Sequence, residues 1–390
     1  MNKKILILGG GFAGIEAAIK LNKYNYDVSL VSNRDYLFIY PISIWIPVHK
    51  KQFSDVAIPL ERLAKKHNFK LIIDNVKSII SKENKVELGS SSMDYDYLII
   101  AMGMSKVKSK GLEFTHSICG DPNEAVVIKD ELDKLIERGN GKIAIGFGAN
   151  PKDSSATAVR GGPAFELLFN FSHHLKKKKV RSNFEITFFA PMKEPGKKMG
   201  SKAYNKMDAF FKHYNIKSKK GVKIQEFVND GVLFEDGSKL ESDLTLFISG
   251  GTGHPVVYES DLPITDAGFI KIDDNCKVDT TENVYAIGDI SALEGPSWAA
   301  KQGHIAEVMA DVAAFNIHHN VIGSEKRKGY HHHLNIVCLM DSGDGAAFVI
   351  RKADFDMILP MPIVGHWLKK GWGFYYKYSK LGMLPRIPGM

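Results

Sequence analysis

The feature that most limits what this chain can fold into is its opening turn. The apolar run Lys3-Lys4-Ile5-Leu6-Ile7-Leu8 leads straight into Gly9-Gly10-Gly11-Phe12-Ala13-Gly14, and Ile15-Glu16-Ala17-Ala18-Ile19-Lys20-Leu21 follows with helical spacing. Strand, G-x-G-x-x-G and helix in that order form a dinucleotide-binding turn. Gly9 permits the tight turn, Gly11 lets a pyrophosphate approach the backbone, and Gly14 lets the helix pack closely on the strand. Phe12 and Ala13 stand at the helix start, where free N–H groups and a partial positive charge meet phosphates. The alternative is an ordinary glycine-rich turn, but the flanking strand and helix match the nucleotide site on both sides.

At 390 residues the chain calls for two or three domains. A net charge of +8 suits nucleic acid, an anionic membrane face or anionic ligands. No helix-turn-helix, zinc-finger or RNA-binding pattern accompanies it, so no nucleic-acid partner is expected. Lys176-Lys177-Lys178-Lys179 reads as a solvated helix end. Cys119, Cys276 and Cys338 are far apart and form neither a metal-ligand pattern nor a disulfide scaffold; no metal is expected. No signal peptide precedes the first strand. No stretch reaches the ~18 apolar residues needed to span a bilayer, which makes the cytoplasm the default compartment.

Val28-Ser29-Leu30-Val31-Ser32 reads as the second strand. An acidic residue usually ends this strand and binds ribose; here Ser32 and Asn33 hold the place, with Asp35 able to substitute if the loop bends back. The aromatic stretch Asp35-Tyr36-Leu37-Phe38-Ile39-Tyr40-Pro41 reads either as a wall for a flat ring system or as a hydrophobic strand. Tyr95-Asp96-Tyr97-Leu98-Ile99-Ile100-Ala101-Met102-Gly103 is a buried strand ending in small residues, and Asp279-Thr280-Thr281-Glu282-Asn283-Val284-Tyr285-Ala286-Ile287-Gly288-Asp289 is another, ending in Gly-Asp. A helix is expected over residues 298–318. A second strand-to-glycine turn, Ile143-Ala144-Ile145-Gly146-Phe147-Gly148-Ala149-Asn150-Pro151, lacks the third glycine, and Pro151 interrupts the helix start. It is a poor nicotinamide site. Gly162-Pro163-Ala164-Phe165-Glu166 then opens a helix.

The tail from 365 to 390 is rich in aromatics and lysines. On a helix, at about 100° per residue, Lys369, Lys370, Lys377 and Lys380 share one arc. Trp367, Leu368, Trp372, Phe374, Tyr375, Tyr378 and Leu381 cover much of the rest. Such a segment suits a membrane interface, with its lysines toward anionic lipid; the alternative is a helix docked on the protein's own core. Three consecutive histidines, His331, His332 and His333, read as a surface cluster, because neighbours on a strand face opposite ways. Cys276, in Asp273-Asp274-Asn275-Cys276-Lys277, reads as surface-like.

The glycine turn, the 98–103 strand and Val284-Tyr285-Ala286-Ile287-Gly288-Asp289 occur in an order that resembles the two-dinucleotide-domain flavoproteins of the glutathione reductase type. Within them the chain is most similar to the sulfide:quinone oxidoreductase and flavocytochrome c sulfide dehydrogenase branch. The marks are Asp35-Tyr36-Leu37-Phe38, Ser117-Ile118-Cys119, Gly162-Pro163-Ala164-Phe165-Glu166, Lys301-Gln302-Gly303, Val337-Cys338-Leu339-Met340-Asp341 and the aromatic tail.

The resemblance implies an α/β fold with two Rossmann-like domains and a short C-terminal membrane-facing region. It divides the chain into an FAD-binding domain (1–110 with 265–322), a second Rossmann-like domain (111–264) and a quinone- and membrane-facing region (323–390). It implies FAD, held by Gly9, Gly11, Phe12, Ala13, Gly14, Ser32, Asn33, Pro41, Ala101, Gly103, Gly288 and Asp289. Asp289 would reach the ribityl and pyrophosphate portion. Cys119 resembles the cysteine that in some members bonds the flavin 8-methyl edge, and Lys301 the lysine at the flavin N1/O2 edge. Cys338 resembles the redox cysteine beside the isoalloxazine ring, the alternative being a buried structural thiol; Glu166, by its place near a helix start, reads either as a proton relay or as a first-turn carboxylate favoured by the helix dipole. The implied partners are a membrane quinone, a lipid surface and a small sulfur donor, with a homo-oligomer allowed and a peripheral, monotopic place on the cytoplasmic membrane.

One departure is serious. Sulfide oxidisers of this branch carry a second redox cysteine just before the Gly-Pro-Ala segment, where this chain has Ala156-Thr157-Ala158-Val159-Arg160-Gly161. Three functions follow: electron transfer from a sulfur compound to quinone, electron transfer from NAD(P)H to quinone, or a flavin-binding subunit or sensor without sulfide oxidation. The broken turn at Pro151 counts against the second, and the absent cysteine favours the third.

Overall fold

The computed structural model describes residues 3–386, and two parallel sheets dominate it. The first sheet has the order Val284–Ala286, Tyr97–Ile100, Lys4–Leu8, Asp27–Ser32, Lys70–Ile73, every pair parallel. A sheet covered on both faces needs continuous apolar strands: Ile5, Leu6, Ile7 and Leu8 are at most 2% exposed. The helices Phe12–Asn22 and Gly303–Val321 pack together over it and are tied by Lys20 Nζ to Asp311 Oδ1 at 2.7 Å. Leu8 pairs with Val31 on one side and Ile100 on the other. The carboxyl ends of three strands are therefore level, and loops leaving them share one crevice, where ligands of open α/β sheets bind.

The second sheet runs Lys217–Lys220, Phe184–Ala190, Gly141–Phe147, Leu244–Ile248, again parallel. Phe147, Phe165, Phe188 and Phe211 fill the space between it and its helices, with ring centroids 5.2–6.2 Å apart. A third, antiparallel sheet of Ile336–Asp341, Gly345–Lys352 and Phe355–Pro362 precedes the helix Val364–Lys380. No helix among the described residues is long and apolar enough to cross a membrane.

Four local expectations change. The helix expected from residue 298 begins at Gly303, because Lys301 N–H is drawn off to Thr157 O and Gln302 is extended. Cys276 is 0% exposed, not surface-like. Asp273 accepts from the N–H groups of Asn275 and Lys277, so the polar residues form the outside of a turn that tucks the thiol under. His331–His333 forms a short 3-10 turn rather than a strand, so strand alternation does not govern it; all three side chains are exposed.

The tail is helical as expected, but Lys369, Lys377 and Lys380 of its lysine arc reach toward the protein, while Lys370 lies over the exposed Trp367 ring. Lys369 is 6% exposed and Lys380 1%; Lys377 Nζ donates to the carbonyls of Ser54 and Asp55. Lys380 Nζ meets Glu16 Oε2 at 2.5 Å and Glu307 Oε1 at 2.7 Å. Trp367, Leu368 and Phe374 are 64%, 50% and 59% exposed. Buried carboxylates on the core helices decide the direction, since an uncompensated buried charge is costly.

Candidate functional site

A cavity of about 670 Å3 opens where the carboxyl ends of both sheets face each other. Its floor is the glycine turn. Gly9 has φ +113°, a left-handed conformation that favours glycine, and a Cβ there would collide with the Ala101 carbonyl. Gly14 is tighter still: a Cβ would strike the carbonyl of Gly9, so Gly14 lies behind the cavity rather than on its wall. A Cβ on Gly11 or Gly103 would meet no atom within 4 Å; both face the open space. Ile15 N–H closes the first helical turn on Gly11 O at 3.0 Å. The N–H groups of Phe12, Ala13 and Gly14 are thus left as donors at a helix start.

Of the residues proposed to hold the cofactor, the cavity is lined by Gly9, Gly11, Phe12, Ala13, Ser32, Asn33, Pro41, Ala101, Gly103, Cys119, Gly288 and Asp289. Ser32 Oγ donates to Arg34 O at 2.7 Å, which leaves it a poor substitute for a carboxylate. The aromatic stretch combines both readings: Tyr36–Phe38 is a strand paired with Ala57–Pro59, while Phe38 and Tyr40 line the cavity. Lys301 does not line it. Its ammonium donates to Ser291 O, sits 4.1 Å from the Phe269 ring centroid, and burial brings its pKa down to about 8.

Sequence reasoning missed the most prominent side chain in the cavity, Arg160. It pairs with Asp289 and lies beside Cys119. In the sequence its position marks only the absence of a cysteine, and Arg160 Nε has no hydrogen-bond partner. Ser249 Oγ, which lines the same cavity just after the strand Leu244–Ile248, is likewise buried and unpartnered. Buried polar atoms normally find a partner, so both fit a polar ligand between the sheets. Burial raises the Cys119 thiol pKa despite Arg160 and Lys106 nearby; at neutral pH it is a thiol, not a thiolate.

Glu166 and Cys338 form a second cluster outside the cavity lining. A Cβ on Gly162 would lie 3.9 Å from Cys338 Sγ, which places the sulfur against the helix start two residues past Arg160. Burial pushes the Cys338 thiol up to about 12, with Glu166 adding to the shift. Burial also raises Glu166, whose carboxylate is ion-paired with Lys369 and accepts Asp341 N–H at 2.7 Å. Asp341 is fully buried and accepts from Trp45 Nε1 at 3.0 Å and Gly343 N at 2.9 Å, with His366 Nδ1 at 2.5 Å. Burial opposes its ionisation, but the bonds from His366 and Trp45 outweigh it and hold the carboxyl at about 2. Lys369 and His366, one turn of the tail helix, were not foreseen as part of this cluster.

The same tail helix touches the nucleotide turn. Tyr376 stacks on Phe12, with centroids 4.8 Å apart and planes at 23°, and its hydroxyl donates to Glu307 Oε1 at 2.9 Å. The second glycine turn is different. The strand Gly141–Phe147 ends there, and the next helix starts only at Gly161, so no helix N-terminus follows Gly148 directly.

These features agree with the comparisons. The family described as pyridine nucleotide-disulphide oxidoreductase matches residues 3–310. A sulfide-quinone reductase of Aquifex aeolicus (strain VF5) is 26% identical over 97% of this chain and 89% of its own length. A type II NADH:quinone oxidoreductase of Staphylococcus aureus (strain NCTC 8325 / PS 47) is 24% identical over 90% of both. The crystal structure of the Aquifex aeolicus sulfide:quinone oxidoreductase superposes with TM-score 0.87 at 23% identity, over 98% of this chain and 92% of that one. NDH2 of Plasmodium falciparum, solved in complex with NADH, gives 0.74 at 14% identity over 100% of both chains. The chain belongs to the pyridine nucleotide-disulphide oxidoreductase family and is an FAD-dependent oxidoreductase.

Proposed function

We propose that this flavoprotein passes two electrons from a small sulfur compound to a membrane quinone. The observation that carries the reading is the tail helix. It turns Lys369 and Lys380 inward and Trp367, Leu368 and Phe374 outward, while Tyr376 on its inner face stacks on Phe12 of the cavity floor. An apolar surface is thereby joined to the wall of the redox cavity. That suits a protein that lies on a lipid surface and meets an apolar acceptor there.

When bound, FAD supplies the capacity to take electrons in pairs and give them up to a quinone. The backbone of Gly11, Phe12 and Ala13 would hold its diphosphate, and Asp289 would take its hydroxyls. In this reading the described residues of 1–110 and 265–322 form the FAD-binding domain, 111–264 the second Rossmann-like domain and the described residues of 323–390 the membrane-facing region; 1, 2 and 387–390 lie outside the described residues. Cys338 is the sulfur-handling group: its protonated thiol sits beside the Glu166–Lys369 pair, which can take and return that proton. Arg160, where the second cysteine is absent, is ion-paired with Asp289 through one guanidinium nitrogen, and its unpartnered Nε–H is the donor left for an anionic sulfur compound such as hydrosulfide. Hydrosulfide oxidised to zero-valent sulfur releases two electrons and one proton; a quinone takes two electrons and two protons.

NADH as donor is the second reading, favoured by the NADH:quinone relatives and opposed by the missing helix start after Gly148. Anaerobic mixing of the yellow protein with sulfide, and separately with NADH, decides. Rapid loss of the flavin band near ~450 nm with sulfide supports the sulfur reading. Loss with NADH alone replaces it by the second. No loss with either donor leaves a flavin-binding subunit or sensor.

A further inference from the structure

Among the described residues one cluster has the composition of a transition-metal site, and it lies away from the cavity. His49, Asp133 and His174 each offer one ligand atom, all within 4.8 Å of one another. They come from three separate elements: the turn after Trp45, the helix Glu124–Arg138 and the helix Gly161–Lys177. His49 Nε2 lies 2.8 and 2.9 Å from the two carboxylate oxygens of Asp133. The His49 and His174 rings are 5.8 Å apart and within 18° of parallel. His174 is only 8% exposed, yet its Nε2 is buried with no hydrogen-bond partner. A buried ring nitrogen is normally satisfied, and this one sits in a group already gathered around an imidazole and a carboxylate.

We propose that His49, Asp133 and His174 bind one divalent transition-metal ion of the Zn2+ type, clamping the turn after Trp45 to two helices. Two imidazoles and one carboxylate are a donor set for zinc, while calcium and magnesium need a shell of oxygens. One carboxylate alone does not supply that shell; Lys50 and Lys178, which also face His174, oppose every divalent cation alike and do not choose between them. Three protein ligands leave the fourth tetrahedral position to water. The clamp is structural with respect to the redox chemistry: the helix that carries His174 also carries Glu166 and Asn170, and the His49 turn carries Trp45, whose Nε1–H bonds Asp341. Metal binding would tie these supports together.

The test is Zn2+ titration of the chelator-treated, full-length flavoprotein against a chromophoric competitor, with thermal unfolding read in parallel. The expected result is one equivalent bound with a rise in Tm, and an affinity loss of at least ~10-fold in His174→Gln and in Asp133→Asn. His49→Asn gives a third variant, at an exposed position, with a residue that tolerates the left-handed φ of +59° there. Replacing His331, His332 and His333 together by Gln should leave binding unchanged. The proposal is overturned if wild type takes up no Zn2+, if the three ligand variants bind as wild type does, or if binding is lost with the 331–333 histidines instead.

Discussion

The two strand-to-glycine turns begin alike and end differently. After Leu8 the chain enters a helix at Phe12, four residues on, and the helix start points into the cavity. After Phe147 it runs through Gly148 and Pro151 to a helix that opens only at Gly161. Both strands are parallel and buried, so the sheet does not make the difference. What matters is whether helix N–H groups follow the turn at once, because these donors are what a diphosphate binds. The same contrast separates the FAD reading from the NADH reading: one good phosphate cradle, not two.

The largest effect should come from filling the first turn. Gly11→Val adds atoms where a Cβ meets nothing but open cavity, so the protein should fold and emerge without FAD. Gly9→Val, which meets the Ala101 carbonyl at a left-handed φ, should lose both FAD and stability. Gly148→Ala, whose Cβ would press on the Phe247 ring at 2.9 Å, should keep its flavin. FAD-to-protein ratios with far-UV circular dichroism check all three; flavin lost from Gly148→Ala but kept in Gly11→Val would reverse the comparison.

Next comes the anchor between the tail and the first turn. Lys380→Met takes one cation from the half-buried Glu307 and leaves the buried Glu16 with Arg386 at 2.5 Å as its close partner, so it should cost about 3 kcal/mol, the low end for breaking a buried pair, read as a lower urea midpoint. Part of the flavin should be lost with it, because Glu16 lies on the helix that opens the glycine turn. Unchanged stability and flavin content would mean the tail is only laid on the surface.

Asp341 offers a smaller effect with a pH signature. Its folded carboxyl titrates at about 2 against an ordinary 3.8. A group held down in this way stabilises the fold fully above its unfolded pKa and loses that contribution as pH falls from about 4 toward 2, worth about 2 kcal/mol. Wild type should therefore lose its advantage over Asp341→Asn across that window; a difference that is constant with pH would contradict it. The smallest effect on stability is expected from Trp367→Ser, Leu368→Ser and Phe374→Ser combined. These exposed changes should alter stability by only about 0.5 kcal/mol each yet release the protein from anionic vesicles in a sedimentation assay. Retained vesicle binding would remove the tail from the membrane reading.

The sequence exposed what residue type alone decides. Gly9 and Gly14 are glycines because no Cβ fits, and a strand followed at once by a helix needs no partner to be recognised. Gly288 and Asp289 could be read because they end an apolar strand, although that strand lies beside Tyr97–Ile100 only after nearly two hundred intervening residues. The direction of the tail could not be read. Helical periodicity put Lys369 and Lys380 on one face, but only the buried Glu16 and Glu166, with the half-buried Glu307, determine that this face points inward. Cys276 failed in the opposite sense: its polar neighbours are the outside of a turn whose thiol is inside. Arg160 was in view as a missing cysteine, yet its reach to Asp289 is a property of two segments far apart in sequence. His49, Asp133 and His174 carry no local spacing at all, so only the fold can bring them together.

The most direct test is the structure of the protein with FAD bound. The account predicts the diphosphate against the backbone of Gly11, Phe12 and Ala13, with Asp289 on the same nucleotide. A diphosphate seated at Gly148 and Asn150, or a folded protein that takes up no FAD when it is supplied, would contradict it.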